Sequence, residues 1–512
     1  MNKRAFYQNT ALMTACSLIL RLMGILFRIF VSNRVGAEGM GLYQLVFSVF
    51  VLGTTFATGG LTTAITRLAA ERLVHHDQAG VTRLMRMGAV ISLLVGALSA
   101  LALYGGAPLI GEWVGDTRTV SAIAVSGVAL PFIGVSGCVK GYFMARRNAL
   151  PPCLSQIFEQ TVRIGGIAAA LSLLWDGSLE QACLIIILGD GLAEAVSCLY
   201  LLWCYRRDLR NVKTTPEPPP TKVVPLLKPL LNIALPLTSG RYVGTALRTV
   251  ENILVPAQLT LYTGSNALAL AQFGAVKGMA LPLIFFPSAL LMTLSGLLIP
   301  ELSDAHALGQ RRQVARLVEM SLHVTLLGAV LVGGLFTVLG PTLGQCLYGD
   351  PLTGMLLRVL APLTPVMYLD SVVTGMLKGL GQQVHSLWFS IADSVVRIGL
   401  IWFLLPRYGL AGFLFVMLVS NLLTASLSTA RLLTVSGAVI PWGRWLIRPL
   451  FATGIAGGFC ALLPLQGIPY AVVCTLLFTG IYGGLMPLFR CFTKQDWHQL
   501  TARKRQKNAA VG

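Results

Sequence analysis

The octapeptide RLMGILFR lies at residues 21–28, within an apolar run long enough to cross a membrane, and its pattern returns as RYVGTALR at residues 241–248. The same spacing separates the two copies at three positions: Arg21 and Arg241, Gly24 and Gly244, Arg28 and Arg248. Arginine at the centre of a bilayer costs roughly 2.5–3.5 kcal/mol on insertion scales, so its repetition indicates a function. The two arginines of each copy are about two helical turns apart and share one helix face. The pattern therefore predicts two related halves with a cationic face inside the membrane.

The composition of the chain identifies its class. Of its 512 residues, 55% are hydrophobic and 12% charged, whereas soluble domains carry about 25% charged residues. We therefore predict an all-α polytopic membrane protein. The net charge of +19 does not indicate nucleic-acid binding, because most basic residues lie in short loops where the positive-inside rule explains them. The ten cysteines form no C-x-x-C pair and the six histidines show no ligand spacing, so neither a metal nor a cofactor is expected.

Apolar runs of about 20 residues predict fourteen transmembrane helices. They lie near residues 9–32, 40–67, 87–110, 119–143, 153–174, 180–204, 229–260, 268–300, 316–341, 355–377, 385–405, 409–430, 444–464 and 468–489. Most of the 39 basic residues fall on the side of the N terminus. The opposite loops carry Arg34, Arg118, Arg358 and Arg407. Both termini are therefore predicted to be cytoplasmic.

The predicted organisation is a duplicated bundle with additions. It consists of a six-helix bundle (1–205), a cytoplasmic linker (206–228), a second six-helix bundle (229–432), two appended helices (433–490) and a basic cytoplasmic tail (491–512). Residues 141–165 align with residues 375–399 without a gap. Corresponding helices begin on the same side of the membrane, so the two six-helix repeats are parallel. A central substrate cavity is expected between them.

The arginines of the repeated pattern are the main candidate site. Four residues are predicted to line a cavity for phosphate groups: Arg21, Arg28, Arg241 and Arg248. Guanidinium groups bind phosphate through bidentate hydrogen bonds, which favours this role. The alternative is that they form ion pairs between helices, with Asp190, Glu194 or Asp370 as partners.

Two further acid–arginine pairs are expected to be structural. Glu159 precedes Arg163 by four residues, and Asp393 precedes Arg397 by four, which is the favourable order for a pair on one helix. Each pair can neutralise itself within its own helix and help the bundle to pack.

Three other carboxylates leave two alternatives open. Asp190 and Glu194 share one helix face and predict either a proton or sodium coupling site or a counter-charge to the arginines. Glu251 follows Arg248 by three residues and has the same two candidate roles. No Walker motif or nucleophile–base pair is present, so the protein is not expected to be an enzyme.

Two stretches carry a family resemblance: VGAEGMGLYQL at 35–45 and ATGGLTTAITRLAAE at 57–71. They resemble the polysaccharide-flippase branch of the multidrug/oligosaccharidyl-lipid/polysaccharide exporter superfamily, and its sporulation members in particular. The resemblance implies two six-helix bundles around a central cavity, plus two appended helices. It also implies movement of an undecaprenyl-pyrophosphate-linked saccharide across the plasma membrane by alternating access. For the sporulation members, that saccharide would serve the peptidoglycan of the spore cortex.

On this interpretation the four repeated arginines hold the pyrophosphate, and the partners are the lipid-linked saccharide and membrane lipids. Two other functions stay open at this point. One is a drug or cation antiporter that uses Asp190 and Glu194. The other is a membrane scaffold that does not transport and recruits cell-wall synthesis enzymes through its basic loops.

Overall fold

The computed structural model describes residues 3–211 and 224–491, and every regular element in those ranges is a helix. The all-α prediction is therefore confirmed. Most of the predicted linker and nearly all of the predicted basic tail lie outside the described residues.

Within 3–211 and within 224–491, the helices follow one another with short connections. The first seven are α1 (Lys3–Thr58), α2 (Leu61–Val74), α3 (Gln78–Val114), α4 (Val120–Ser126), α5 (Leu130–Ala145), α6 (Leu150–Leu173) and α7 (Leu179–Asn211). The next five are α8 (Val224–Thr263), α9 (Asn266–Phe273), α10 (Leu281–Phe285), α11 (Ser288–Ala307) and α12 (Arg311–Leu343). The last five are α13 (Pro351–Leu360), α14 (Thr364–Gly379), α15 (Gln383–Ser436), α16 (Arg448–Ala461) and α17 (Gly467–Leu488). Three π-helical turns join neighbouring elements: Gly274–Ala280, Gly344–Tyr348 and Gly443–Ile447.

Two long helices are each broken at one glycine. Gly36 interrupts α1 with φ 70° and ψ −176°, and Gly409 interrupts α15 with φ 53° and ψ −131°. These positive φ values favour glycine, which has no Cβ to clash with the carbonyl oxygen. Within the glycine-containing stretch GAEGMG at 36–41, the chain leaves the helical conformation only at Gly36. Each of these helices therefore supplies two of the predicted spans.

The helices of the described chain agree in number with the fourteen spans predicted from the sequence. Nine helical segments of the described chain are long and apolar enough to span a membrane, and two of them contain the breaks in α1 and α15. Helices α6, α8 and α16 lie where the sequence predicts three further spans. Together they correspond to the fourteen predicted helices, and the chain is a multi-pass membrane protein.

Two compact units make up the chain. The first consists of Met1–Gly278 and Ser390–Phe413, and the second consists of Met279–Phe389 and Leu414–Gly512. In the first unit, α2, α3, α5 and α7 enclose a core that includes Ile65, Leu84, Tyr142 and Leu201, each fully buried. The predicted halves, 1–205 and 229–432, stay a prediction from the sequence repeat.

The second unit has its own core. Apolar side chains of α11, α12, α14 and the end of α15 pack around Leu322, Val373 and Leu432. The appended helices α16 and α17 pack against α12, and Tyr482 donates a hydrogen bond of 2.8 Å to the carbonyl oxygen of Leu327. These two helices are therefore part of the folded unit.

Helices α1 and α9 of the first unit approach each other at two glycines. A Cβ on Gly41 would overlap the carbonyl group of Leu270. A Cβ on Gly274 would overlap the carbonyl oxygen of Ala37. Both contacts are with backbone atoms, which cannot rotate away as a side chain does. Small residues at helix contacts of this kind let two backbones pack closely inside a membrane.

We therefore expect Gly41→Ala to destabilise the protein by about 1–3 kcal/mol or more, as overpacking of a tight interior does. Gly24→Ala is the matched control, because a Cβ on Gly24 has no neighbour within 4 Å. The measurement is the thermal unfolding temperature of each purified variant. Equal unfolding temperatures for the two variants would show that the α1–α9 contact is not tight.

The predicted orientation can be tested with a native thiol. Of the ten cysteines, Cys346 is exposed, Cys204 is half-buried and the others are buried. Cys346 follows α12, which begins at the basic stretch around Arg311, so cytoplasmic termini place it outside the cell. A membrane-impermeant maleimide should label intact cells that express the wild type, and Cys346→Ser should remove that label. Labelling only after permeabilisation would place Cys346 in the cytoplasm and would show that the predicted topology is wrong.

Candidate functional site

The part of α1 before the break at Gly36 places Arg21 in a small cavity against the start of α6. This cavity has a volume of 360 Å³. Its lining consists of Met13, Cys16, Ser17, Leu20, Arg21, Ala149, Pro152, Cys153 and Gln156. Arg21 is half-buried and is the one charged residue in this lining. The arrangement places a positive charge at the edge of an otherwise mainly apolar space.

Arg28 lines a different cavity, with a volume of 430 Å³, between α1, α5, α6 and α7. Its lining consists of Gly24, Phe27, Arg28, Val31, Met40, Tyr43, Phe47, Phe50, Val51, Thr54, Thr58, Ile133, Gln160, Arg163, Ile186, Asp190 and Glu194. The Nη1 atom of Arg28 is buried and has no hydrogen-bond partner in the described part of the chain. Arg28 therefore keeps a donor that a ligand or water can use.

Helix α8 packs against the part of α1 that follows Gly36, and α8 carries the second arginine pair, Arg241 and Arg248. Thr249 donates a hydrogen bond of 3.1 Å to the carbonyl oxygen of Ser48, and Asn252 donates one of 2.9 Å to the Ser48 hydroxyl. Arg248, directly before Thr249, and Arg241, about two turns before Thr249 on α8, are exposed. Neither makes an ion pair within residues 3–211 and 224–491. Both therefore keep their charge uncompensated by direct contact.

The two cavities each contain one of the four predicted arginines. Arg21 and Arg28 line separate cavities, and neither lining includes Arg241 or Arg248. All four belong to the first compact unit, in which α1 and α8 are in contact. The four arginines therefore lie along two helices that pack against each other, α1 and α8.

Arg163 is the centre of a buried charge network in the same unit. Its Nε atom lies 2.8 Å from Oδ1 of Asp190, and its Nη2 atom lies 3.0 Å from Oε1 of Glu159 and 3.9 Å from Oε1 of Glu194. Lys140 adds a second cation, with Nζ 3.9 Å from Oε2 of Glu159. The side chains of Arg163 and Asp190 are only 19% and 6% exposed. Such a network stabilises the fold only while both signs of charge are present.

These contacts show what surrounds Asp190 and Glu194 in the structure. Both act as counter-charges in this conformation, but their direct partner is Arg163 and neither makes an ion pair with Arg21 or Arg28. The pair Glu159–Arg163, expected to be structural, is present and extends to a second helix. Because the carboxylates lie beside a guanidinium, their mutual repulsion is offset.

Glu251 is the centre of a second buried network. Its carboxylate contacts Lys277 at 3.1 Å and Arg397 at 3.0 Å, and its residue is 2% exposed. Arg397 also pairs with Asp393, as predicted for that helix. Glu251 is therefore a counter-charge to these two cations, although it lies only three residues from Arg248. Its ion pairs are with Lys277 and Arg397, and Arg248 makes no ion pair within the described residues.

The two repeats differ in how they balance the equivalent arginines. The offset that places Glu159 on Asp393 also places Asp190 on Thr424 and Glu194 on Ser428. The second repeat therefore lacks both acids of α7 and neutralises Arg397 with Glu251 of α8 instead. Sequence comparison of the repeats shows the missing acids but not their replacement, because Glu251 lies outside the aligned segment.

Some residues of the site are not evident from the sequence. Gln160 and Tyr43 line the cavity of Arg28. The sequence offers one indication for Gln160: it is a polar amide directly after Glu159, in a helix expected to face apolar surroundings. Within the described residues, no group of three His, Cys, Asp or Glu side chains is placed to hold a metal ion.

Comparison with known proteins adds to this geometry. The family described as "Polysaccharide biosynthesis protein" matches residues 6–306. Stage V sporulation protein B of Bacillus subtilis (strain 168) is 24% identical over 526 aligned residues, which cover 98% of each chain. The similarity to that relative therefore includes both repeats and the appended helices.

Two solved structures share the fold. The lipid II flippase MurJ in its inward closed conformation has a TM-score of 0.70 at 13% identity, covering 93% of this chain and 98% of its own. An inward-facing multidrug resistance MATE family transporter of the MOP superfamily has a TM-score of 0.59 at 15% identity, covering 83% of this chain and 100% of its own. At these identities the similarity shows the fold, which is the one that the sequence predicts.

Proposed function

Because the chain belongs to the polysaccharide biosynthesis protein family, we propose that it is a flippase that moves an undecaprenyl-pyrophosphate-linked saccharide across the plasma membrane by alternating access. The saccharide is a precursor of peptidoglycan or of another polysaccharide. Similarity to a sporulation protein supports a role in building the spore cortex. Both termini lie in the cytoplasm.

One observation carries this proposal: arginines are retained within membrane helices without carboxylates that neutralise them directly. Arg241 and Arg248 are exposed and make no ion pair in the described part of the chain, and Arg28 has a buried donor without a partner there. The nearby acids are instead used by Arg163, Lys277 and Arg397. Guanidiniums within membrane helices that lack a direct counter-charge favour an anionic ligand.

A pyrophosphate-linked lipid matches this chemistry. Its phosphates accept bidentate hydrogen bonds from guanidinium groups, which a point charge such as lysine does not provide in the same geometry. We propose that Arg21, Arg28, Arg241 and Arg248 hold the pyrophosphate while the polyprenyl chain stays in the lipid. The carboxylates of both buried networks pair with other cations, namely Arg163, Lys140, Lys277 and Arg397, and maintain the fold.

The antiporter alternative depends on Asp190 and Glu194. Each lies within 4 Å of Arg163, so an organic cation would have to compete with a buried guanidinium. The scaffold alternative leaves the repeated arginines without a role. The contacts therefore favour the flippase.

Reconstitution tests the proposal directly. Full-length protein in liposomes is given a fluorescent polyprenyl-pyrophosphate saccharide, and a membrane-impermeant reductant reports how much probe reaches the outer leaflet. We expect protein-dependent exposure of the inner-leaflet probe, compared with protein-free liposomes. Transport of an organic cation without movement of this probe would instead support an antiporter, and the absence of both would support the scaffold.

A further inference from the structure

Two pairs of buried cysteines bring their thiols together in the described part of the chain. The Sγ–H group of Cys460 in α16 donates a hydrogen bond of 3.7 Å to the carbonyl oxygen of Cys474 in α17, and the two thiols are within hydrogen-bonding reach of each other. Cys16 in α1 donates an equivalent bond of 3.4 Å to the carbonyl oxygen of Cys153 in α6, again with the thiols in reach of each other. The two pairs therefore have similar local contacts.

The two pairs lie near opposite faces of the membrane. With both termini in the cytoplasm, α16 ends and α17 begins at the outer surface. Cys460 directly precedes the end of α16, and Cys474 lies about two turns into α17. Cys16 and Cys153 instead lie in the cytoplasmic parts of α1 and α6. Disulfides persist outside the cell, whereas the cytosol keeps thiols reduced. The outer pair is therefore on the side where a disulfide is stable.

The surroundings of the outer pair suit a cross-link. Cys460 and Cys474 are fourteen residues apart on the two helices of one hairpin, which residues 462–466 connect. Both side chains are fully buried in a cluster that includes Leu339 of α12 and Phe478 of α17. A disulfide requires two backbones that are already adjacent, since longer distances cannot be bridged without backbone movement. A bond here would join α16 and α17 where the hairpin packs on α12.

We propose that Cys460 and Cys474 form a disulfide in the cell, while Cys16 and Cys153 stay reduced. The thiolate of one outer cysteine attacks a disulfide of an extracytoplasmic thiol–disulfide oxidoreductase, and the second thiolate then displaces that enzyme. One S–S bond forms here as one breaks in the oxidoreductase, which takes up two electrons and two protons as a dithiol. The exchange precedes packing of the hairpin on α12, because buried thiols are inert.

The bond closes a short loop and restricts the unfolded hairpin, which stabilises the folded one. The inference rests on the predicted topology, which labelling of Cys346 tests separately, and it does not depend on the substrate.

Thiol trapping in cells tests the inference on the wild-type protein. The full-length chain is produced in cells that have an extracytoplasmic thiol-oxidising system. The cells are quenched with acid and then denatured in N-ethylmaleimide, so that every free thiol is alkylated before purification and digestion. We expect most of the protein to yield two peptides that are linked through Cys460 and Cys474 and separate on reduction. Cys16 and Cys153 should each carry the alkyl group.

The pair Cys16–Cys153 is the matched control, because it has the same kind of contact on the cytoplasmic side. Alkylation of both Cys460 and Cys474 in most of the protein would overturn the inference. A bond between Cys16 and Cys153 would also overturn it, because proximity rather than compartment would then decide which thiols are oxidised.

The unfolding temperature gives a second, independent readout. Dithiothreitol should lower the unfolding temperature of the purified wild type by roughly a few degrees, since reduction restores the conformational freedom of the unfolded hairpin. It should not lower that of Cys474→Ser, which has no bond to lose. An equal change in the two proteins would overturn the stabilising role of the bond.

Discussion

Replacing Arg21 and Arg28 together by alanine is expected to abolish transport of the lipid-linked saccharide while the amount of protein in the membrane stays near the wild-type level. Each substitution removes one charge-assisted hydrogen bond to phosphate, worth roughly 1.5–3 kcal/mol, or about one to two decades in affinity. Arg241→Ala combined with Arg248→Ala should have a similar effect. The measurement is the rate of probe exposure in liposomes, alongside membrane abundance.

Two comparisons make this result specific. Arg21→Lys and Arg28→Lys keep the charge but lose the planar fork, so substantial but incomplete loss is expected. Arg34→Ala is the matched control: Arg34 lies on the same helix, is exposed and stacks on Phe30 at 5.8 Å, outside both cavities. It should transport normally. Full activity in the double alanine variant would exclude the arginines from substrate binding.

Replacing Arg163 by alanine should have the largest effect on stability. It leaves Asp190, Glu159 and Glu194 close together in a buried region, while Lys140 stays within 4 Å of Glu159. Removing one partner of a buried ion pair costs about 3–5 kcal/mol, because the remaining charge is left uncompensated. We expect low abundance in the membrane and a markedly lower unfolding temperature.

Neutralising two of the carboxylates together with Arg163 should restore the charge balance of this buried network. Arg163→Met with Asp190→Asn and Glu194→Gln is expected to recover most of the stability, since apolar or neutral replacements of a buried ion network are often tolerated. Arg67→Ala is the control, because the Arg67–Glu71 pair is exposed and such pairs contribute about 0–1 kcal/mol. Normal stability of Arg163→Ala would show that the network does not hold the fold.

Much of the fold can be predicted from the sequence because its determinants are local. Apolar runs of membrane length specify the spans. The distribution of basic residues predicts their direction, which stays a prediction. The helical breaks at Gly36 and Gly409 could not be predicted in detail, because a glycine in a membrane helix is often simply a packing residue. At Gly41 and Gly274 the requirement is a tertiary contact, which no local pattern contains.

The candidate site is only partly evident from the sequence. The duplication singled out Arg21, Arg28, Arg241 and Arg248, and the four-residue spacing identified the pairs of α6 and α15. The partners of the acids depend on which helices meet. Glu251 lies three residues from Arg248 in the chain, yet it contacts Lys277 and Arg397 across helices.

The division into two cavities is likewise a tertiary feature. Arg21 and Arg28 lie on one helix face by periodicity, but the residues of α6 and α7 that surround each of them differ. The α7 carboxylates Asp190 and Glu194 line the cavity of Arg28 and do not line the cavity of Arg21. Charge balance at each arginine therefore depends on packing, which the repeated octapeptide alone does not specify.

One measurement tests the central claim, that intramembrane arginines bind the pyrophosphate during transport. The wild-type protein in liposomes is given the same fluorescent saccharide attached to polyprenyl pyrophosphate, to polyprenyl monophosphate or to uncharged polyprenol. The initial rate at low substrate concentration should fall with each phosphate removed, by roughly one to two decades for each charge-assisted hydrogen bond that the shorter headgroup cannot accept. Equal rates for the three lipids would contradict the claim.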